Sequence, residues 1–122
     1  MKNFAAISAA VAGVFFSMQA HAGDAAAGEK VFRKCKACHV VNKEQNKTGP
    51  HLVNIIGRPA GAVDGFKYSK AMKGSGLTWD EATLAAFLKK PKSYMKGTKM
   101  AFAGLNKDDD IANVIAYLKS PN

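Results

Sequence analysis

Acidic side chains are scarce in this chain: nine Asp and Glu stand against eighteen Lys and Arg, for a formal charge of +9 and a pI near 9.7. Cysteine is scarcer still, and two residues cannot build a disulfide framework, which excludes the small cysteine-stapled scaffolds. After residue 22 no apolar run is long enough to cross a bilayer, so a bundle of membrane helices is excluded. Internal repeats and low-complexity tracts are missing, and no alternating pattern marks a convincing strand, which argues against solenoids and sheet proteins. What is present fits a folded globule: 22% charged and 48% hydrophobic residues in 122 positions, room for one domain at about 100–200 residues each. The basic balance suits either nucleic acid or transient docking on acidic proteins.

Residues 1–22 read as a leader. One cation, Lys2, precedes an apolar run through Ala5, Ile7, Val11, Val14, Phe15 and Phe16, and the segment closes on Ala20-His21-Ala22. A short basic start, an apolar stretch too brief for a span and small residues at its end are the signature of a cleaved secretory signal peptide. Residues 23–122 then form a single domain of 100 residues, and the charge falls to +8 because Lys2 is lost with no acid. The domain is expected to be soluble and exported, without stable membrane insertion. Export and the lack of any recognition motif exclude nucleic acid as a partner.

The grain of the domain is helical. Residues 24–34 carry Ala27, Val31, Phe32 and Cys35 at three- and four-residue steps, with Asp24 as N-cap. Residues 69–73 predict a short helix ended at Gly74. Thr78 and Glu81 predict a capping box for a helix whose buried stripe is Leu84, Phe87 and Leu88 and which Pro91 stops. Asp108-Asp109-Asp110 open a last helix with Ile111, Val114, Ile115 and Leu118 on one face, their carboxylates set against its positive end. Between the first two helices lies a long irregular stretch, about residues 40–68, rich in glycine and proline. Short helices separated by such a loop cannot enclose a conventional interior, and a large buried prosthetic group would resolve the deficit.

Cys35-Lys36-Ala37-Cys38-His39 supplies that group, since C-x-x-C-H is the pattern of covalent haem attachment. Two thiols reach the two vinyl groups, and the next residue brings an imidazole to the iron as axial ligand. Two other chemistries compete. A redox disulfide of the thioredoxin kind needs a strand-helix-strand setting that the sequence lacks. A zinc site would have only Cys35, Cys38, His39 and His51, and adjacent Cys38 and His39 fit a tetrahedron poorly. For the sixth iron position the candidates are His51, Met72, Met95 and Met100. Met100 is the best of them, because Gly97 and Gly104 bound a loop between helices that can carry its thioether across the opposite haem face.

With Cys35-Lys36-Ala37-Cys38-His39, Thr48-Gly49-Pro50, Gly57-Arg58, Gly65-Phe66-Lys67-Tyr68, Gly76-Leu77-Thr78-Trp79 and Gly97-Thr98-Lys99-Met100 in that order, the chain resembles class I c-type cytochromes over residues 24–120. The similarity is closest to bacterial cytochrome c2 and mitochondrial cytochrome c. It implies an all-α cytochrome c fold, three to five short helices with long loops wrapped around one haem c held by two thioethers from Cys35 and Cys38. It implies axial ligation by His39 and Met100, with the Pro50 carbonyl bonded to the His39 ring N–H. By the same resemblance Arg58, Tyr68 and Trp79 surround the haem propionates, Thr98 orients the ligand loop, Phe102 packs over the haem edge, and Gly28 and Phe32 cross Tyr117 and Leu118. Three positions depart from the family: Phe87 where relatives often carry tyrosine, Met72 where mitochondrial relatives carry asparagine, and Lys96 where a proline is common.

The resemblance further implies a periplasmic, monomeric, mono-haem electron carrier rather than an enzyme. It would shuttle single electrons between a membrane-bound reductase, such as a cytochrome bc1-type complex, and an oxidase or photosynthetic reaction centre. Lys34, Lys36, Lys47, Lys92, Lys96, Lys99 and Lys107 flank the two ligand-bearing segments, as does the lysine ring by which cytochromes dock on acidic surfaces of redox complexes. The alternative is a haem-based peroxidase or small-ligand sensor with a labile Met ligand, to which Lys96 and Phe87 lend some support.

Overall fold

The computed structural model describes Gly13 and residues 23–121; apart from Gly13, the predicted leader lies outside the described residues. Among the described residues five helices follow in chain order: α1 (Ala25–Phe32), α2 (Lys70–Lys73), α3 (Glu81–Lys89), α4 (Pro91–Tyr94) and α5 (Asp108–Lys119). The only extended pairing among the described residues is an isolated bridge between Pro59 and Thr78.

Local chemistry sets most of the boundaries. Asp24 caps α1, its carboxylate accepting from the Ala26 N–H at 2.9 Å. The helix is shorter than the expected 24–34, giving way after Phe32 to tighter turns in which Cys35 N–H donates to Phe32 O. Ser69, itself buried, caps α2 by accepting from the Met72 N–H. The expected capping box at Thr78 and Glu81 is not formed. Asp80 is the N-cap of α3, its carboxylate accepting from the Thr83 N–H at 2.7 Å, because Thr78 and Trp79 are committed to pairing with residues 57–60. Pro91 follows the end of α3 as expected, but it also opens α4, where a missing N–H costs nothing in the first turn.

Two helix contacts organise the core. Gly28 of α1 lies against the backbone of Asn113 in α5, so close that a Cβ there would overlap the Asn113 carbonyl. Beside it Phe32 and Tyr117 pack with ring centroids 5.3 Å apart, and the Asn113 side chain accepts from Asp24 N–H at 2.8 Å. The crossing thus takes the form expected from Gly28 and Phe32. Helix α3 runs along α5, with Leu84, Phe87 and Leu88 buried toward Ile111, Val114, Ile115 and Leu118. Surface pairs Lys89–Asp108 and Lys119–Glu81 join opposite ends of the two helices, so they are antiparallel; exposed pairs of this kind contribute about 0–1 kcal/mol.

The long loop is tied down by backbone bonds rather than by a core of its own. Leu52 N–H donates to Val40 O, Gly57 N–H to Trp79 O, Trp79 N–H to Arg58 O and Ala60 N–H to Leu77 O, at 2.7–2.9 Å. These bonds stitch residues 52–60 to the attachment segment and to the approach to α3. The loop after α4 closes through Leu105 N–H donating to Leu88 O.

Candidate haem-attachment and iron site

The C-terminal end of α1 presents the attachment segment. His39 N–H donates to Cys35 O at 2.9 Å, one helical turn, which sets the first thiol and the imidazole on the same side. Both thiols are free and half-buried. Burial pushes the Cys35 thiol up from its ordinary range, with the Cys38 charge adding and Lys34 opposing, so the group stays protonated.

The imidazole is fixed from behind. His39 Nδ1 lies 2.7 Å from the Pro50 carbonyl; with the proton on Nδ1 donating to that oxygen, Nε2 keeps its lone pair for a metal. Burial lowers the pKa of His39, the bond to Pro50 raises it and the Arg58 charge lowers it, for a net shift toward the neutral, ligating form. Gly49 supports the ring from the side. A Cβ at position 49 would lie 2.8 Å from Nδ1 and 3.0 Å from Nε2 and closer still to the carbon between them, so only glycine leaves the imidazole where it is. The segment is held in place by Gly49 N–H donating to Cys38 O at 2.8 Å and by Lys47 Nζ donating to Lys36 O at 3.1 Å.

Arg58 is held in an arrangement that lacks an anion. Nη1 donates to Val53 O at 3.1 Å and Nη2 to His51 O at 2.9 Å, while Nε is buried with no hydrogen-bond partner. Burial pulls the guanidinium pKa below its ordinary value, and the neighbouring Tyr68 opposes that shift. An orphaned buried N–H on a cation is expensive, and a carboxylate would satisfy it. Tyr68 is half-buried with its hydroxyl accepting from Val63 N–H at 3.0 Å, and Trp79 is buried against Phe87 with centroids 5.0 Å apart.

The second ligand-bearing segment follows α4. Met100 is half-buried, and its N–H donates to Thr98 Oγ1 at 3.3 Å. Met100 and Phe102 both pack on the edge of the core, while Gly97 lies against α2 at Ala71. Of the other candidates for the sixth position, Met95 is buried in the core, and His51 uses its ring Nδ1 to accept from Val53 N–H and its carbonyl for Arg58. Met72 is half-buried on α2. All seven lysines of the expected docking set are exposed.

The residues present fit a haem. Free paired thiols, a neutral backbone-anchored imidazole and a buried cation with an unsatisfied N–H match two thioethers, an iron bond and a propionate. Among the described residues no three His, Cys, Asp or Glu side chains converge as a metal cluster. The larger surface concavity, about 630 Å3, lies between α3 and α5 and includes none of Cys35, Cys38, His39 or Met100. A smaller one of about 370 Å3 reaches His39 alongside Phe32, Lys36, Lys47 and Tyr117.

An all-α chain with this attachment turn falls in the class of helical proteins that carry haem through thioethers. The family profile described as Cytochrome c matches residues 25–121, and the chain belongs to the cytochrome c family. It is 52% identical to cytochrome c-554 of Methylosinus trichosporium, over 80% of this chain and 74% of that relative. It is also 52% identical to cytochrome c2 of Rhodomicrobium vannielii, over 80% of this chain and 78% of that relative. The solved structure of cytochrome cH from Methylobacterium extorquens superposes with a TM-score of 0.76 at 49% identity, covering 80% of this chain and 99% of the other. The protein is a mono-haem electron-transfer protein rather than an enzyme, with one covalent haem c.

Sequence reasoning missed the roles of Gly49, of the His51 and Val53 carbonyls and of Asp80. Gly49 was visible within Thr48-Gly49-Pro50, but only as part of a motif. The carbonyls that hold Arg58 carry no side-chain signal at all.

Proposed function

We propose that residues 1–22 direct export and are removed, and that the mature protein works in the periplasm with its iron bound by His39 and Met100. Cys35 and Cys38 make the thioethers, while Arg58, Tyr68 and Trp79 serve the propionates. When bound, the haem supplies one-electron exchange between ferrous and ferric iron. His39 and Met100 would hold the iron, a ligand pair that would raise its potential relative to a bis-histidine iron and would disfavour oxygen or peroxide chemistry. The observation that carries the reading is the 2.7 Å contact between His39 Nδ1 and the Pro50 carbonyl, which prepares the free Nε2 for the iron.

The exposed lysines around both ligand segments favour weak, fast docking on acidic surfaces. The partners are a membrane-bound reductase of the bc1 type on one side and an oxidase or photosynthetic reaction centre on the other. The relative named cytochrome c2 supports this placement. The optical spectrum tests the ligation. A low-spin haem with a far-red iron–sulfur band is expected, lost in Met100→Ala and kept in Met72→Leu and Met95→Leu. A band that survives Met100→Ala would overturn the assignment. N-terminal sequencing of the exported protein, beginning at Gly23, tests the leader.

A further inference from the structure

The surface loop that follows the attachment segment carries a motif for which the haem site has no use. Asn46-Lys47-Thr48 has the form Asn-x-Thr, with Glu44 two residues before it, and no other asparagine of the chain has serine or threonine two places on. Residues 42–48 are exposed without interruption, between buried Val41 and half-buried Gly49 and Pro50. Both ends of this loop are tied to the attachment segment: Leu52 N–H donates to Val40 O and Gly49 N–H to Cys38 O, each at 2.8 Å. Inside the loop the backbone bonds are short-range, from Gln45 N–H to Lys43 O at 2.8 Å and from Lys47 N–H to Gly49 O at 3.0 Å. The Asn46 backbone enters neither bond. An exposed loop anchored only at its base can be reached by an enzyme without unfolding the domain.

The side chain of Asn46 is turned to suit such an enzyme. Its Oδ1 accepts from His51 N–H at 3.0 Å, and because a backbone N–H can only donate, the oxygen is fixed at that end and the amide nitrogen is left over. A sugar joined to Nδ2 makes a secondary amide that keeps its carbonyl oxygen, so the bond to His51 survives the modification. The Thr48 hydroxyl supplies the element that oligosaccharyltransferases read after the asparagine, and Glu44 supplies the acid that bacterial enzymes of this kind read before it. We propose that Asn46 is an acceptor for N-linked glycosylation, taking its oligosaccharide from a polyprenyl diphosphate donor. The bond from Nδ2 to the anomeric carbon forms, and the bond from that carbon to the diphosphate oxygen breaks. One amide proton is released as polyprenyl diphosphate leaves, and nothing is oxidised or reduced. The proposal rests on the reading that residues 1–22 direct export, since donor and transferase act beyond the cytoplasmic membrane.

The test has two arms. In the first, haem-loaded protein beginning at Gly23 is incubated with a purified bacterial oligosaccharyltransferase and a lipid-linked oligosaccharide of known mass. The folded protein is expected to gain a single glycan, mapped by mass to the Asn46 peptide. Thr48→Val and Glu44→Gln leave the acceptor amide in place and should lose the glycan, Thr48→Ser should keep it, and Asn46→Gln should abolish it. Visible spectra that match the native protein show that each variant is folded. No mass gain in the folded protein, while a free peptide with the same motif is modified in parallel, would overturn the site, as would a gain that survives Thr48→Val. In the second arm the full chain is co-expressed with the transferase, and its N-terminus and mass are read. A chain that begins at Gly23 and carries no glycan counts against Asn46 alone. A chain that keeps its leader counts against export alone, and the first arm, which needs no export, then decides the site.

Discussion

At the scale of single residues, the imidazole of His39 is held on two sides, by the Pro50 carbonyl and by the bare Cα of Gly49. Either support can be removed separately. Gly49→Ala places a Cβ within 2.8 Å of Nδ1, so the ring or the 47–50 segment has to move. Weakening the bond to Pro50 makes the ligand less basic. The expected result is a shifted midpoint potential and a perturbed far-red band with the thioethers intact, read by redox titration and by the mass of the haem-bearing peptide. An unchanged potential would show that the ring has room the structure does not show. The bond to Pro50 was readable in the sequence because a motif fixes both partners. Gly49 was not, because what it does depends on how close the fold brings the His39 ring, ten positions back in the sequence, rather than on its own chemistry. Arg58 lay between these cases: its type and position pointed to an anion, but the two carbonyls that aim it belong to the loop path alone.

At the scale of elements, the α1–α5 crossing buries the Phe32 ring against Tyr117. Phe32 is 2% exposed, and Phe32→Ala is expected to destabilise by about 3–5 kcal/mol, read as a lower midpoint in denaturant titration of the loaded protein. Gly28→Ala should also lower stability, because its Cβ meets the Asn113 backbone, which cannot give way as a flexible side chain would. The capping of α3 adds a pH dependence. The Thr83 N–H and hydroxyl hold the Asp80 carboxyl below the usual carboxylate range. A lowered folded pKa means a contribution that is present above the unfolded value and lost as pH falls through the folded one. Replacing Asp80 with Asn keeps an acceptor but removes the charge. The thermal midpoint of Asp80→Asn should therefore lie below that of the native protein at neutral pH, with the gap closing in acid; a pH-independent gap would count against the charge.

The helices themselves were legible, since α1, α3 and α5 each show apolar residues at helical spacing and an acidic residue at or near the start. The start of α3 was misread because Thr78 and Asp80 are both good caps two residues apart. Which one wins is decided by the pairing of residues 77–79 with 57–60, a contact that no local pattern reports. Helix α4 was hidden for a related reason: Pro91 reads equally as the end of one helix and the first residue of the next.

At the scale of the whole molecule, the charge is divided by location. Five of the nine acids, Asp80, Glu81, Asp108, Asp109 and Asp110, lie at the N-terminal ends of α3 and α5, where the helix dipoles favour them and where two of them pair with Lys89 and Lys119. The lysines beside the attachment and ligand segments are exposed, and none of them belongs to the Lys89–Asp108 or Lys119–Glu81 pair. Such a distribution orients the molecule as it approaches an acidic partner. At 0.1 M salt the screening length is about 10 Å, so the steering should fade through the physiological range. The second-order rate of electron transfer to an acidic redox partner is therefore expected to fall steeply as ionic strength rises. Charge reversal at Lys92 or Lys99 should lower both the rate and its salt dependence, whereas reversal at Lys119, which already pairs with Glu81 of α3, should change neither by much. Stopped-flow kinetics over a salt series decides the point. Equal effects at all three positions would mean that net charge alone, and not the lysine face, directs the encounter.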